Sequence, residues 1–334
     1  MTAAADPARA GADPARSAPG PERIRAAYLG PAGTYSHEAL LAGAAAFASG
    51  GAHLETLPLP TIHDVVMAVQ HGEADRGLVP IENSLEGSVN ATLDALAFHA
   101  PGVQIVGETV LAIHHCLIGR AGMRLEQVEV VLSHPQALAQ CAAFVRSRLP
   151  GATVRPDAST AEAVRAVAGS EEPWAALGPR SAAERYGGTV LVQDVEDVAG
   201  NETRFAWLAA AGVMRGGGSA GGGGAAGGAP ERAGHLGERG VPFDAQERPW
   251  KTAVAFWPRE SDHAGWLVDC LSEFSTRGVN LTRIESRPRK VGLGEYVFFL
   301  DVEGAARDAQ VAAALTAIEG HVAQLRVLGS FPAA

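Results

Sequence analysis

The alternation of apolar and polar positions predicts two folded regions, at residues 23–210 and 249–334. In the first region, short apolar runs such as Gly77–Ile81 are typical of buried strands, and they alternate with helical periodicity, as in His37–Phe47. Strands that alternate with helices in this way build a parallel or mixed α/β fold. The second region has the order strand, helix, strand, strand, helix, strand, which is the ferredoxin-like βαββαβ plan.

Two stretches lack a periodic apolar pattern. Residues 1–22 are rich in Ala, Pro, Arg, Asp and Gly without the apolar core of a signal peptide, so we expect a disordered extension. Residues 211–248 contain the runs Gly216–Gly218 and Gly221–Gly224, which are typical of a flexible linker. A coil of this length would span roughly 35 Å by the square-root law. We therefore expect it to tether the second region without orienting it.

Composition narrows the class of partner. A hydrophobic content of 47% and a charged content of 19% are typical of a soluble globular protein, and no apolar run has the length of a membrane span. The formal net charge of −10, without a basic stripe, argues against nucleic acid and anionic membranes as partners. Cys116, Cys141 and Cys270 are far apart and lack metal-ligand spacing, so we expect buried thiols in a reducing cytoplasm and no metal site.

Polar side chains follow several predicted strands, at the strand ends where open α/β sheets bind ligands. Hydroxyl groups at a helix start accompany backbone N–H groups that favour an anion, and glutamines four residues apart share one helix face. The candidate site residues in these loops are Thr34, Ser36, Glu82, Asn83, Ser84, Ser133, Gln136, Gln140, Thr203, Arg204 and Phe205. A strand is also predicted at Glu108–Ile118, and a helix begins at Pro135 and ends at Gly151.

Each candidate has a structural alternative. The loop before His37 is also compatible with an ordinary strand-to-helix turn, and Glu82–Ser84 with helix capping alone. His114 and His115 favour core or rim positions over ligand binding. Arg204 could form either a bidentate pair with a substrate carboxylate or a salt bridge at the end of its strand.

Four motifs together resemble one family, that of prephenate dehydratase, in order and in approximate spacing. They are Tyr28–Ser36, Pro80–Ser84, Ser133–Gln136 with Gln140 and Cys141, and Asn201–Phe205. The second region is similar to the ACT regulatory domain that accompanies this family, with Gly278–Pro288 as its signature. The resemblance covers about residues 25–210 and 250–330.

The resemblance implies conversion of prephenate to phenylpyruvate, with loss of water and carbon dioxide and without a cofactor. It implies a two-lobed catalytic region like that of periplasmic binding proteins, with crossovers near residues 101–106 and 187–191 and a site in the cleft. Thr203 stands where the family has its catalytic hydroxyl, which we expect to donate to the departing oxygen or to relay a proton. Glu82 is the candidate proton donor if burial raises its pKa.

The resemblance also implies that phenylalanine binds between paired ACT domains and that the protein self-associates as a dimer or tetramer. The candidate effector-site residues are Ala264, Gly265, Trp266, Leu267, Asn280, Leu281, Glu285, Ser286, Arg287 and Pro288. Trp266 stands where the family has a small residue, and its ring could fill the effector pocket. Two alternatives stay open: an arogenate dehydratase, and a non-catalytic two-lobed amino-acid sensor.

Overall fold

A computed structural model describes residues 23–44, 53–211, 248–259 and 263–334. The predicted extension at 1–22 and the interior of the predicted linker at 211–248 lie outside the described residues. The strands are β1 (Arg23–Leu29), β2 (His53–Leu59), β3 (Arg76–Asn83), β4 (Gly87–Ser88), β5 (Val103–Ala112), β6 (Cys116–Gly119), β7 (Val130–Ser133), β8 (Thr153–Pro156), β9 (Trp174–Gly178), β10 (Thr189–Val192), β11 (Glu202–Ala210), β12 (Trp250–Trp257), β13 (Leu281–Pro288), β14 (Tyr296–Glu303) and β15 (Gln324–Pro332). The helices are α1 (Tyr35–Ala44), α2 (Ile62–Gln70), α3 (Asn90–Asp94), α4 (Pro135–Gln140), α5 (Ala142–Arg148), α6 (Thr160–Ala168), α7 (Arg180–Tyr186), α8 (Trp266–Ser275) and α9 (Ala309–Glu319).

The first folded region consists of two lobes, each built on its own sheet. In lobe 1 the strand order is β5-β11-β3-β1-β2, with β1 parallel to β2 and β3, and β11 antiparallel to β3 and β5. Lobe 2 has the order β10-β6-β9-β7-β8. The chain passes from lobe 1 to lobe 2 at residues 113–115 and returns at residues 193–201. Both crossovers thus lie later in the chain than the predicted 101–106 and 187–191, because β5 continues to Ala112 in lobe 1 and β10 continues to Val192 in lobe 2.

The C-terminal region has the predicted βαββαβ order, with its sheet in the order β13-β14-β12-β15. One face of this sheet packs on α8 and α9, around Phe256, Phe274 and Leu300. The other face is buried against lobe 1, in a core that contains Phe299 and Phe331 together with side chains of α2 and β5. The predicted two-lobed α/β region and ferredoxin-like domain are confirmed.

The sheet of lobe 1 and the sheet of the C-terminal region join where β15 pairs with β5. Gly329 pairs with Ile105, and a Cβ atom on Gly329 would lie 2.1 Å from the carbonyl oxygen of Ile105. A side chain there would force the strands apart, so the glycine permits the junction. Arg326 reinforces the junction by donating to the carbonyl oxygens of Leu96, Ala100 and Val103. The C-terminal region is therefore oriented by direct docking on lobe 1.

Local details differ from the predicted elements in three places. The predicted strand Glu108–Ile118 is two strands, broken at residues 113–115 where the chain changes lobe. The helix predicted from Pro135 divides into α4 and α5 at Cys141, whose φ of −116° and ψ of 16° are not helical. The sequence pattern did not indicate β2, a half-exposed strand next to β1.

Among the described residues, the helices are all too short or too polar to cross a lipid bilayer.

Candidate active site

Strand β11 presents successive side chains to opposite faces of the lobe 1 sheet. Thr203 and Phe205 lie on the face that carries α1, whereas Arg204 lies on the face covered by the C-terminal domain. In the pairing with β3, Arg204 is opposite Glu82 and Phe205 is opposite Pro80, so Ile81 has no partner in β11. This β-bulge shifts the alternation of β3 and places Asn83 beside Thr203.

A cavity of about 380 Å³ lies between the two lobes, at the start of β11. Its polar lining residues are Thr34, Tyr35, Ser36, Asn83, His115, His134, Gln136, Gln140, Ser159, Thr160, Asn201 and Thr203. Apolar side chains such as Ile62, Val89, Ile113 and Phe205 complete the wall. Among the described residues that line this cavity there is no Asp, Glu, Lys or Arg. The site therefore presents hydroxyl, amide and imidazole groups to a ligand.

Asn83 fixes the direction of the hydrogen bond that reaches Thr203. The side-chain oxygen of Asn83 accepts from the backbone N–H groups of Leu85 and Glu86, both at 3.1 Å. Its amide nitrogen must then donate, and it lies 2.9 Å from Thr203 Oγ1 and 2.8 Å from Asn201 Oδ1. Because Thr203 accepts this bond, its own hydroxyl hydrogen can point towards the cavity.

Gln140 connects the two lobes across the cavity. Its side-chain oxygen lies 3.1 Å from His115 Nε2 and accepts from Asn201 Nδ2 at 3.3 Å, while its amide nitrogen donates to Glu86 Oε1 at 3.3 Å. The amide oxygen cannot donate, so His115 carries its proton on Nε2. Nδ1 of His115 is then an acceptor, and the hydroxyl of Tyr35, 2.7 Å from it and 2.8 Å from the carbonyl oxygen of His114, can donate its one hydrogen to either.

Burial keeps both members of the Tyr35–His115 pair uncharged. Desolvation raises the pKa of the Tyr35 phenol well above its usual value, and the thiols of Cys141 and Cys116 nearby add to this. Desolvation lowers the pKa of His115, although the hydrogen bond to Gln140 and the charge of Glu196 oppose the change. Both groups are thus hydrogen-bonding partners of fixed polarity near neutral pH.

The pKa of His115 predicts how stability depends on pH. Its folded-state pKa is below the unfolded value of about 6.5, so the unfolded state binds more protons as the pH falls below that value. We expect the thermal midpoint of the wild-type protein to decrease between pH 7.5 and 5.5. His115→Asn should lose part of this decrease, and the exposed His71→Asn should not. Equal pH profiles for the wild type and the two variants would contradict this effect of His115. Burial also lowers the pKa of His37, which should account for the pH dependence of the thermal midpoint that remains in His115→Asn.

Helix starts supply further donors to the cavity. The first N–H groups of α1 and α6 have no acceptor within their own helices, and the cavity is lined by Tyr35 and Ser36 at one start and Thr160 at the other. Ser159 caps α6 by accepting from Glu162 N at 3.0 Å. The helices α1 and α6, of ten and nine residues, thus both direct the positive ends of their dipoles towards the cavity.

The structure brings some of the predicted site residues together and separates others. Those on the cavity are Thr34, Ser36, Asn83, Gln136, Gln140, Thr203 and Phe205. Ser84 lies behind it, where its hydroxyl donates to Asn201 Oδ1 and accepts from Glu202 N. Ser133 is fully buried and donates to the carbonyl oxygen of Leu177 at 2.7 Å.

Glu82 and Arg204 require a correction, because both lie on the far side of the sheet from the cavity. Arg204 Nη2 lies 2.8 Å from Glu82 Oε2 and 2.7 Å from Asp301 Oδ2. The predicted roles, proton donor for Glu82 and carboxylate partner for Arg204, do not fit this arrangement. Of the two interpretations left open for Arg204, the geometry agrees with the salt bridge.

Several cavity residues were not among the predicted candidates. His134 and Asn201 stand inside motifs that were singled out, and Tyr35 stands between two candidate hydroxyl residues. Ser159 and Thr160 follow β8, so the rule that ligands bind at the carboxyl ends of strands could have indicated them. His115 had no such signal, since its position depends on where the chain changes lobe.

One group of side chains at the rim could hold a metal ion. The ligand atoms of His114, Asp194 and Glu196 lie within 4.8 Å of one another. In this structure His114 Nδ1 is 3.0 Å from Glu196 Oε1 and 3.3 Å from Asp194 Oδ1. Glu196 also accepts from the backbone N–H of His115. These pairs link the two crossover segments, which accounts for the cluster without an ion.

The effector-site candidates lie at two places in the C-terminal domain. Gly265 is the N-cap residue of α8, with a φ of 92°. Trp266 packs inside its own domain against Phe256 and Phe298, and its ring N–H donates to the carbonyl oxygen of His321 at 2.6 Å. Leu281 begins β13, and Asn280 O accepts from Glu303 N. The candidates in the rest of β13 alternate: Glu285 and Arg287 bond to lobe 1, while Ser286 and Pro288 are exposed.

The fold and the cavity define a two-lobed α/β protein with a polar interlobe site, whose described lining has no Asp, Glu, Lys or Arg, and with a C-terminal βαββαβ domain. The chain belongs to the prephenate dehydratase family, whose model matches residues 26–212, and residues 261–320 match the ACT domain. It is 36% identical to the prephenate dehydratase of Amycolatopsis methanolica, over 92% of this chain and 88% of the relative. It is 32% identical to arogenate dehydratase 5 of Arabidopsis thaliana, over 92% and 67%. A crystal structure of prephenate dehydratase from Arthrobacter aurescens in complex with L-Phe has 35% identity and a TM-score of 0.73, covering 92% and 90%.

Proposed function

We propose that this chain converts prephenate to phenylpyruvate, as a carbon–oxygen lyase in phenylalanine biosynthesis. The observation that supports this most directly is the Thr203 hydroxyl, which accepts from Asn83 and can donate into a cavity without charged lining side chains. Its place in the Asn201–Phe205 motif is the place of the family's catalytic hydroxyl. The reaction needs three things: a donor at the leaving oxygen, dipoles that hold two carboxylates, and exclusion of bulk water.

The chemistry balances without an added oxidant or reductant. The bond from the ring to its carboxylate breaks and releases carbon dioxide, and its electron pair enters the ring. The ring hydroxyl leaves with the pair of its C–O bond, so the prephenate dianion gives phenylpyruvate, carbon dioxide and hydroxide, which takes up a proton. Aromatisation drives the step. The protein contributes a hydrogen bond from Thr203 to the departing oxygen, where negative charge develops.

The carboxylates are held by dipoles, in this proposal. The starts of α1 and α6 offer backbone N–H groups, and Ser36, Gln136 and Thr160 add side-chain donors. Such donors hold an anion in place without the fixed counter-charge that would oppose decarboxylation by stabilising the ground-state carboxylate. Gln140 of lobe 2, which bonds to Glu86 of lobe 1 and to His115 and Asn201 in the two crossover segments, helps to keep the lobes closed and water out.

The absence of an acidic side chain from the described cavity lining favours prephenate over arogenate. Arogenate carries an ammonium in place of the keto group, and a buried ammonium needs an anionic or carbonyl partner. We expect kcat/KM for prephenate to exceed that for arogenate by at least about tenfold, the equivalent of about 1.4 kcal/mol. The measurement is product formation with each substrate; a preference for arogenate would overturn the choice. If neither substrate reacts, the alternative of a non-catalytic two-lobed sensor stands.

Regulation by L-phenylalanine is part of the proposal. The ACT domain match and the L-Phe complex of the Arthrobacter aurescens relative support it. Because Trp266 turns into the core of its own domain, its ring need not occupy an effector pocket between paired domains. Addition of phenylalanine should therefore reduce the rate of phenylpyruvate formation, and a rate that does not respond would contradict this.

We also propose a dimer or tetramer in the cytoplasm, with residues 23–210 as the catalytic region and 249–334 as the ACT domain. Strand β13 is the edge of its sheet, and Ile284 within it is 49% exposed. An exposed edge strand favours pairing with a second copy. Light scattering coupled to size-exclusion chromatography tests the oligomeric state, and a monomer at assay concentration would contradict it.

A further inference from the structure

The ion cluster behind the cavity joins the catalytic strand to the C-terminal domain. Nη1 of Arg204 lies 3.1 Å from Glu108 Oε2, and Nη2 lies 2.7 Å from Asp301 Oδ2. The side chains of Glu108 and Asp301 are each 2% exposed, so the charges attract one another in a weakly screened environment. Arg204 is adjacent to Thr203, which places the cluster one residue from the proposed catalytic hydroxyl.

The C-terminal domain supplies the charges that complete this cluster. Lobe 1 alone contributes Arg204 with two carboxylates, those of Glu82 and Glu108. The C-terminal domain adds three charged groups, those of Asp301, Arg283 and Lys251. Arg283 donates to Asp301 Oδ2 at 3.1 Å, and Lys251 donates to Glu108 Oε1 at 2.8 Å. The cations and carboxylates then balance in number. Docking therefore neutralises the back of β11.

Arg204 lies where the pairing of β11 with β3, one of its two neighbouring strands, is irregular. The bulge at Ile81 shifts the register of β3 against β11 between Arg204 and Phe205. Bulges interrupt the ladder hydrogen bonds and re-aim neighbouring side chains. The pairing with β5 on the other side is regular here, so a side-chain anchor at Arg204 adds a constraint that the pairing with β3 lacks, next to Thr203.

The cluster contains a feature that stability alone does not explain. Asp301 Oδ1 is buried and has no hydrogen-bond partner among the described residues, while Oδ2 accepts from both Arg204 and Arg283. A buried carboxylate with an unpaired oxygen costs free energy of folding. Retaining the carboxylate in this position is consistent with a geometric role in the reaction.

We propose that Asp301 is a positioning residue for Thr203, supplied to the catalytic strand by the C-terminal domain through Arg204. The proposal rests on the dehydratase function proposed above. Asp301 holds Arg204 from behind, Arg204 fixes the start of β11, and Thr203 keeps its hydroxyl at the hydrogen bond from Asn83. Arg283, which holds the same oxygen of Asp301, is two residues from Leu281 in the candidate effector site. Ion pairs and neighbouring positions along two strands therefore connect Leu281 of the candidate effector site to the hydroxyl of Thr203.

The test compares two ion pairs that both cross the domain interface. Asp301→Asn weakens the pair at β11 and keeps the side-chain shape. Asp94→Asn weakens the pairs of α3 with Arg287 and Lys290, at 3.2 and 2.7 Å, without touching β11. In the full-length protein without effector, we expect Asp301→Asn to lower kcat by roughly tenfold with little change in KM. Asp94→Asn should leave kcat near the wild-type value, and Asp301→Glu should recover part of the loss.

A readout that does not need activity separates this inference from the proposed function. Hydrogen–deuterium exchange of peptides covering residues 202–210 should be faster in Asp301→Asn than in wild type or Asp94→Asn. If the wild-type protein lacks dehydratase activity but shows this exchange pattern, the proposed function fails while the mechanical link holds. Should Asp301→Asn not fold by circular dichroism, Arg283→Gln replaces it, with the same direction of effect. Equal kcat and equal exchange in the Asp301 or Arg283 variant and the Asp94 variant would overturn the proposal.

Discussion

Thr203→Ala should lower kcat by roughly 10²–10³-fold, the usual loss when one donor to a developing oxyanion is removed. The hydroxyl accepts from Asn83 at 2.9 Å, so its hydrogen is available to the leaving oxygen and this bond strengthens as the C–O bond breaks. An interaction made in the transition state affects kcat more than KM. The measurement is steady-state formation of phenylpyruvate from prephenate.

Thr203→Ser is the matched variant, because it keeps the hydroxyl and removes the methyl group. It should keep most of the activity, since serine can accept from Asn83 and donate in the same direction. The methyl group of Thr203 restricts the rotamers of the side chain, so a small loss in kcat is compatible with the mechanism. If alanine and serine variants lose kcat equally, or if alanine mainly raises KM, the hydroxyl is not the donor.

Asn83→Asp replaces the amide nitrogen of the side chain by an oxygen. We expect this change to reduce kcat/KM by at least about 10²-fold, for two reasons. Aspartate can still accept from the backbone N–H groups of Leu85 and Glu86, so the loop should keep its conformation. The atom facing Thr203 becomes an acceptor, however, and Thr203 would then donate to it instead of to the substrate. The new charge would also repel a dianion in a cavity whose described lining has no cationic side chain.

The control for Asn83→Asp is Asn90→Asp, which adds the same charge at an exposed position of α3. It should leave both kcat and KM close to the wild-type values. Thermal unfolding of both variants shows whether a loss of activity comes from a loss of folded protein. An active Asn83→Asp enzyme would mean that the orientation of the Asn83 amide does not direct the Thr203 hydroxyl.

Much of the fold could be predicted from the sequence, because it follows from local periodicity. Alternating strands and helices indicate the α/β region, and the order of elements after Lys251 indicates the βαββαβ domain. The motif loops also came from local pattern, since polar residues directly after a buried strand are positioned by that strand. The crossovers that the family resemblance implied were placed too early, and local pattern could not correct them because it does not show at which strand the chain leaves a sheet.

The site residues show where local reasoning ends. Strict alternation along β3 from Pro80, which lines the cavity, would place Glu82 on the cavity face and Asn83 on the other. The unpaired Ile81 reverses this phase, so Asn83 reaches Thr203 and Glu82 pairs with Arg204. A one-residue bulge depends on how two strands 120 positions apart along the chain pair, which the pattern of either strand does not contain.

By itself, the sequence determined the order of most elements, the polar loops at strand ends and the motifs of the family resemblance, because each depends on residues close together in the chain. Tertiary structure alone decided which face of the sheet each side chain occupies and what covers that face. Arg204 is the clearest case: its residue type suits a substrate carboxylate and a salt bridge equally. The docking of the C-terminal domain, which brings Asp301 to 2.7 Å, gives it the salt bridge.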